Sequence, residues 1–222
     1  MTDAKLRKME RASSGLPDSL SNSAYNAVML GLVLYGFVVN ALMVHLLAPI
    51  AYQIDYRVFL VGYFICVIAG SVCAASPKPA MSFLGYNLIV LPIGVLLSRV
   101  LPDYGTALVM QAILLTGAIT LVMLIAASVF PHWFSGMGKT LFICLCIGLV
   151  LSLLSALTGF SSEFLVWGFA MLFTLYIGYD LQKAQAYPKT FDNAIDSAID
   201  LYLDIINLFL KILRILRRAN DD

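Results

Sequence analysis

The sequence predicts an all-α membrane protein, and three observations carry that prediction. Of the 222 residues, 61% are hydrophobic and only 12% are charged, at a mean hydropathy of +0.90. A soluble domain is about a quarter charged, so a soluble enzyme is excluded. Next, the apolar residues lie in continuous runs of about 20, the length that crosses a bilayer as a helix. They do not alternate, which excludes a spanning β-barrel. Last, the chain then turns into a helix-periodic segment with an acidic stripe. Intrinsic disorder is excluded for want of polar residues. A net charge of +1, from 14 basic and 13 acidic residues, argues against nucleic acid as a partner. The lipid bilayer is the expected partner.

Residues 1–24 are polar, with Lys5, Arg7, Lys8 and Arg11 among Asp3 and Glu10. They meet no small-residue cleavage site, so a retained cytoplasmic tail is expected rather than a signal peptide. Residues 25–216 read as a single transmembrane helical domain, and 217–222 as a charged C-terminal tail. The spans are punctuated by prolines and glycines. They cover 25–48, closed by Pro49; 58–76, stopped by the Ser-Pro-Lys-Pro turn at 76–79; and 80–101, with Pro92 inside and Pro102 closing. They continue over 106–130, stopped by Pro131; 140–160, after Gly136 and Gly138; and 164–185, with Pro188 marking the next turn. Connections this short make successive helices antiparallel neighbours.

After Pro188, Asp192, Asp196, Asp200 and Asp204 recur every four residues. They drift by about 40° per step and form one stripe, while Ile195, Ile199, Leu203, Ile206 and Leu210 take another side. A charge at a helix centre in lipid costs at least ~2.5–3.5 kcal/mol. The stripe must therefore face other helices or a watery cavity. Asp192 and Asp196, near the helix N-terminus, are favoured by its dipole and expected to be solvated. Charge and length disagree about how far this helix crosses. If it stops short, only Arg57 and Arg99 lie opposite the other cations, as the positive-inside rule favours; full crossing reduces the bias to 8 against 6. About 20 residues would nonetheless permit crossing, so the side of the C-terminus is open.

Asp180, in Leu175–Tyr–Ile–Gly–Tyr–Asp180–Leu–Gln, is the only acid in the body of the first six spans. An intramembrane carboxylate marks a functional site by default, the bland alternative being an interfacial aspartate at headgroup level. Asp204 follows 24 positions later, flanked by apolar residues. A turn at Pro188 alone would leave it about 9–12 Å deeper than Asp180. Equal depth requires a broad loop centred near Asp192, or staggered helices. If the two meet, they cannot both ionise cheaply, so one proton is held between them and their titration is coupled. Without it they repel each other and attract a cation; calcium, a hard ion, favours oxygen ligands. Asp180 and Asp204 are thus the candidate proton sensor and calcium site, with Asp196, Asp200 and Asn207 candidates along an ion pathway. No resident cofactor is expected, and calcium enters as a permeant or bound ion. Cys66, Cys73, Cys144 and Cys146 lack zinc-site spacing and are expected as buried small apolar residues. His45 and His132 read as span-end residues.

The run Asp200–Leu–Tyr–Leu–Asp204–Ile–Ile–Asn207–Leu–Phe–Leu–Lys–Ile–Leu–Arg214, with Gly178–Tyr–Asp180–Leu–Gln182, resembles the Bax inhibitor-1 (transmembrane Bax inhibitor motif) family. The specific match covers residues 173–216; the preceding five spans fit in number and length. The resemblance implies seven helices, with the acidic last one at the centre and six around it. It also implies a pH-sensitive calcium leak gated by an aspartate pair, matched here by Asp180 and Asp204. Bacterial relatives carry a basic cluster between the second and third spans, where an arginine can latch the sixth-span aspartate. Here Lys78 is the only cation of that turn, and lysine cannot reproduce a bidentate arginine clamp.

Tyr179–Asp180 also resembles one motif of intramembrane aspartyl proteases. The second motif needs glycines where Leu201–Tyr–Leu203 stands, and the Pro-Ala-Leu motif is missing. A serine–histidine dyad would need a buried base, which span-end histidines do not supply. The expectation is a non-enzyme: a proton-regulated calcium channel or leak of a prokaryotic cytoplasmic membrane, its N-terminus inside. The alternative is a non-conducting regulatory or scaffold protein. Protein partners are left open, a monomer included.

Overall fold

The computed structural model describes residues 19–221 apart from 52, 77 and 160–162. The N-terminal cations Lys5, Arg7, Lys8 and Arg11 lie outside the described residues. The described residues fold as eight α-helices, with a short 3-10 helix at Leu101–Asp103: α1 Asn22–Ala51, α2 Tyr56–Ala74, α3 Pro79–Val100, α4 Thr106–Val129, α5 Pro131–Ser135, α6 Gly138–Thr158, α7 Glu163–Ala186 and α8 Phe191–Asp221. All six predicted spans are present as α1, α2, α3, α4, α6 and α7, each long and apolar enough to cross a membrane. The helix the sequence did not predict is α5. Pro131, read as a stop, instead opens a short helix, because proline's missing N–H costs nothing at a first helical position.

Helix ends follow local chemistry. α2 starts where Asp55 caps it, its Oδ1 accepting from the backbone N–H groups of Arg57 (2.8 Å) and Val58 (3.3 Å). α1 runs through Pro49 to Ala51. The guanidinium of Arg99 satisfies carbonyls there, Nη1 donating to Ala51 O at 2.8 Å and to Ile54 O at 2.7 Å. α6 ends on Gly159, whose φ of 70° is the left-handed cap that glycine adopts without strain. The largest departure is α8, 31 residues long, which absorbs the expected 217–222 tail as helix up to Asp221.

Much of the apolar surface stays uncovered: Val72, Leu114 and Leu157 are 70%, 66% and 76% exposed. Such faces suit a hydrocarbon solvent. Cys144 and Cys146, expected buried, are exposed on α6, and Cys66 and Cys73 are half-buried. Hydrophobicity predicted burial, but in a bilayer an apolar residue is equally stable facing lipid.

The chain divides into two compact units, residues 1–105 with 186–200, and residues 106–185 with 201–222. In the first, α2 and α3 meet through Gly70, Ala74 and Gly85. Tyr25 of α1 is fully buried, its hydroxyl 2.8 Å from Ser197 Oγ and donating to Asn193 O at 3.2 Å. The Lys189 ammonium lies 4.4 Å from the centre of the Tyr25 ring, and burial holds that lysine below its usual range. Tyr25→Phe deletes the hydroxyl and strands its partners. A loss of about 1–3 kcal/mol is expected, read as a lower melting temperature in detergent.

In the second unit, Leu141, Phe169 and Leu172 form a buried cluster. Here α7 and the latter part of α8 run antiparallel in one register. Tyr176 interacts electrostatically with Asp204, Lys211 Nζ lies 4.7 Å from the Phe169 ring centre, and Arg218 Nη1 is 3.0 Å from Glu163 Oε1. α8 therefore reaches the N-terminal end of α7. Loop charge had favoured a helix that stops short. Two of the terminal cations are taken up locally, Arg218 on Glu163 and Lys211 on the Phe169 ring.

Candidate functional site

Asp180 and Asp204 belong to the same unit and are both buried, each 7% exposed. The register of α7 against α8 places Asp204 level with Tyr176, four residues before Asp180. That is one helical turn, about 6 Å along the axis, less than the offset expected from a turn at Pro188. α7 ends at Ala186 and α8 begins at Phe191, a short connection rather than a broad loop, and the two aspartates are not at equal depth.

Tyr176 lies within electrostatic range of both Asp180 and Asp204. Lys183 completes the set, its ammonium 3.3 Å from Asp180 Oδ1 and its side chain 28% exposed. Neither residue was among the site candidates expected from the sequence. Both signals were present, since positions four before and three after an aspartate share its helix face. Buried carboxylates in general can hold a proton, and when ionised they offer oxygens to a cation. Lys183 balances one negative charge at Asp180; ionising Asp204 as well adds a second to the same surroundings.

The other acids of the stripe are placed in the first unit. Asp192, expected solvated, is 4% exposed and accepts a hydrogen bond from Ser82 Oγ of α3 at 2.5 Å. The helix dipole still favours it there, but neighbouring side chains have replaced water. Asp196 and Asp200 are half-buried and interact electrostatically with Tyr25. Asn207 is half-buried, and its amide donates to Leu203 O of its own helix at 2.8 Å. Lys78 is exposed at the N-cap position of α3, where its carbonyl accepts from Met81 and Ser82. His45 and His132 are both exposed. Among the described residues, no group of three or more His, Cys, Asp or Glu converges as a metal site.

Comparison with known proteins adds an independent finding. The family described as "Inhibitor of apoptosis-promoting Bax1" matches residues 18–221. An uncharacterized protein of Helicobacter pylori is 36% identical over 129 residues, 57% of this chain and 55% of that protein. The match thus spans about half the length of that curated relative. Bax inhibitor 1 of Saccharomyces cerevisiae is 50% identical over 58 residues, 25% of this chain and 18% of the yeast protein. The inner membrane protein YbhL of Escherichia coli is 29% identical over 181 residues, covering 72% of this chain and 74% of its own.

Proposed function

Because the chain belongs to the Bax inhibitor family, we propose that it is a proton-regulated calcium leak of a bacterial cytoplasmic membrane, gated by Asp180 and Asp204. The observation that carries this reading is the shared environment of two buried carboxylates, Asp180 and Asp204, both interacting with Tyr176. In the proposed arrangement the acidic helix α8 is central among the six spans, and the N-terminus is cytoplasmic. A bacterial relative named as an inner membrane protein supports the location.

At low pH a proton held at the carboxylates lowers the negative charge between α7 and α8, so the helices stay together and the path is closed. As pH rises the proton leaves. Two charges then repel, the helices loosen, and the oxygens present a cation site. Calcium takes 6–8 oxygen ligands, more than two aspartates supply. The pair therefore suits an ion passing through with much of its water rather than a resident metal. Asp196, Asp200 and Asn207 are proposed positions along its way, and Lys78 is the proposed latch cation.

The Asp180–Lys183 ion pair, held within one helix at 3.3 Å, favours a second reading. There the polar groups only fix helix packing and no ion flows, as in a regulatory or scaffold protein. Calcium flux in proteoliposomes, measured from acid to alkaline pH, separates the two. Flux that rises with pH is expected. Flux that ignores pH overturns the gate, and absence of flux at every pH leaves the packing role standing.

A further inference from the structure

At the far end of α8 from its turn with α7, in the second unit, lies a cavity of about 240 Å³. Its walls carry Lys211, Arg214 and Arg218 of α8, Ser152 and Ser155 of α6, and Phe169 of α7. The spacing of the three cations, three and then four residues apart, gathers them within an arc of about 60°. Glu163 offsets one, at 3.0 Å from Arg218. Lys211 is held over the Phe169 ring at 4.7 Å. Arg214 is exposed and lines the cavity. The proposed gate uses none of these residues.

Like charges on a concave, partly desolvated surface repel, and an anion placed among them relieves the repulsion. Guanidinium groups match phosphate oxygens in bidentate geometry, lysine adds a point charge, and serine hydroxyls add donors. The volume lies below the ~300 Å³ lower end of small-molecule pockets, which suits a headgroup-sized anion rather than a whole lipid. On the same end of α7, Phe164 and Trp167 are 85% and 61% exposed. Tryptophan is enriched at the headgroup level of a bilayer, so Trp167 fits a site at that depth.

We propose that this cavity binds a phosphate group, carried either by an anionic lipid headgroup or by a soluble phosphoester. This proposal stands apart from the calcium reading and does not depend on it. The test uses the full chain purified in detergent, with binding of short-chain phosphatidylglycerol compared with phosphatidylcholine of equal chain length. Phosphatidylglycerol is expected to bind at least about tenfold more tightly, the equivalent of 1.4 kcal/mol. Arg214→Gln should abolish most of that preference. Arg217→Gln makes the same charge change at an exposed neighbour that does not line the cavity, and should preserve it. Ser155→Ala supplies a second variant with no charge change, expected to weaken binding several-fold. Glycerol phosphate that binds as tightly as phosphatidylglycerol assigns the site to soluble phosphoesters; glycerol phosphate that displaces the lipid only at about tenfold or greater excess over the lipid's own affinity assigns it to the lipid headgroup. Equal binding of the two lipids, or equal loss in Arg217→Gln and Arg214→Gln, overturns the proposal.

Discussion

Gly85→Val is expected to leave little folded protein, the largest stability loss of any single change considered. Gly85 on α3 faces Gly70 and Ala74 on α2, and all three are buried. A Cβ at position 85 would meet the backbone nitrogen of Ala74 and the carbonyl oxygen of Gly70 closer than the 3.0 Å that real Cβ contacts respect. The obstacle is backbone on both counts, so no rotamer change relieves it. The helices must separate, and every contact along α2 and α3 suffers. Small residues at such crossings let backbones approach, which is a main source of helix association in lipid. Overpacking costs ~1–3 kcal/mol even where side chains can shift; with rigid backbone the loss should exceed that, against a total stability of roughly 5–15 kcal/mol. Size-exclusion profile and melting temperature in detergent provide the check. Gly31 on α1 is the control, because nothing lies within 4 Å of a Cβ there. Gly31→Ala should be neutral or stabilising by up to about 1 kcal/mol. Equal behaviour at the two positions would contradict the close approach.

Asp204→Asn should flatten the pH response of calcium flux in proteoliposomes. Asparagine keeps the size and one oxygen of the side chain but can neither hold nor release the gating proton. Coupling of a switch to its ligand is typically ~1–3 kcal/mol, or roughly 5- to 150-fold in population. A wild-type flux ratio of that order between alkaline and acid pH should collapse towards one. Asp180→Asn should flatten the response as well, and should also cost stability, because it strips the carboxylate from beside Lys183. Losing one partner of a fully buried pair costs ~3–5 kcal/mol. With Lys183 28% exposed, solvent screens the remaining charge and a smaller loss is expected. The two variants therefore separate gate from scaffold. A pH response preserved in both would remove the aspartates from gating, whatever their effect on melting temperature.

The spans were legible because hydropathy and proline or glycine punctuation act over one helix at a time. Each predicted segment appears within a few residues of its place. Errors fell where a neighbour intervenes. α1 outlasts Pro49, with Arg99, 48 positions away from Ala51 in sequence, bonded at its end. α5 depends on a choice at Pro131 that hydropathy does not register. The two cysteines of α6 faced outward because an apolar residue does not declare which apolar medium it will meet. At the candidate site, Asp180 and Asp204 stood out as acids in oil, whereas Tyr176 and Lys183 did not, since aromatic and basic residues near span ends are common.

By itself, the sequence determined the solvent of this protein, the helices that can span it, and the conflict of an acidic stripe in an apolar chain. Those properties are sums over neighbouring residues, and a one-dimensional pattern contains them. Only the tertiary structure decided how the conflict is resolved. Asp192 is placed on Ser82, 110 positions distant. Asp196 and Asp200 fall near Tyr25, while Asp204 joins Tyr176 and Asp180's helix. Two of the terminal cations, Arg218 and Lys211, are set beside Glu163 and Phe169. A buried charge must find a partner or a proton because it has lost water, and which group supplies it depends on the register between helices. That register is a property of packed surfaces far apart in sequence, which helix period and composition do not encode.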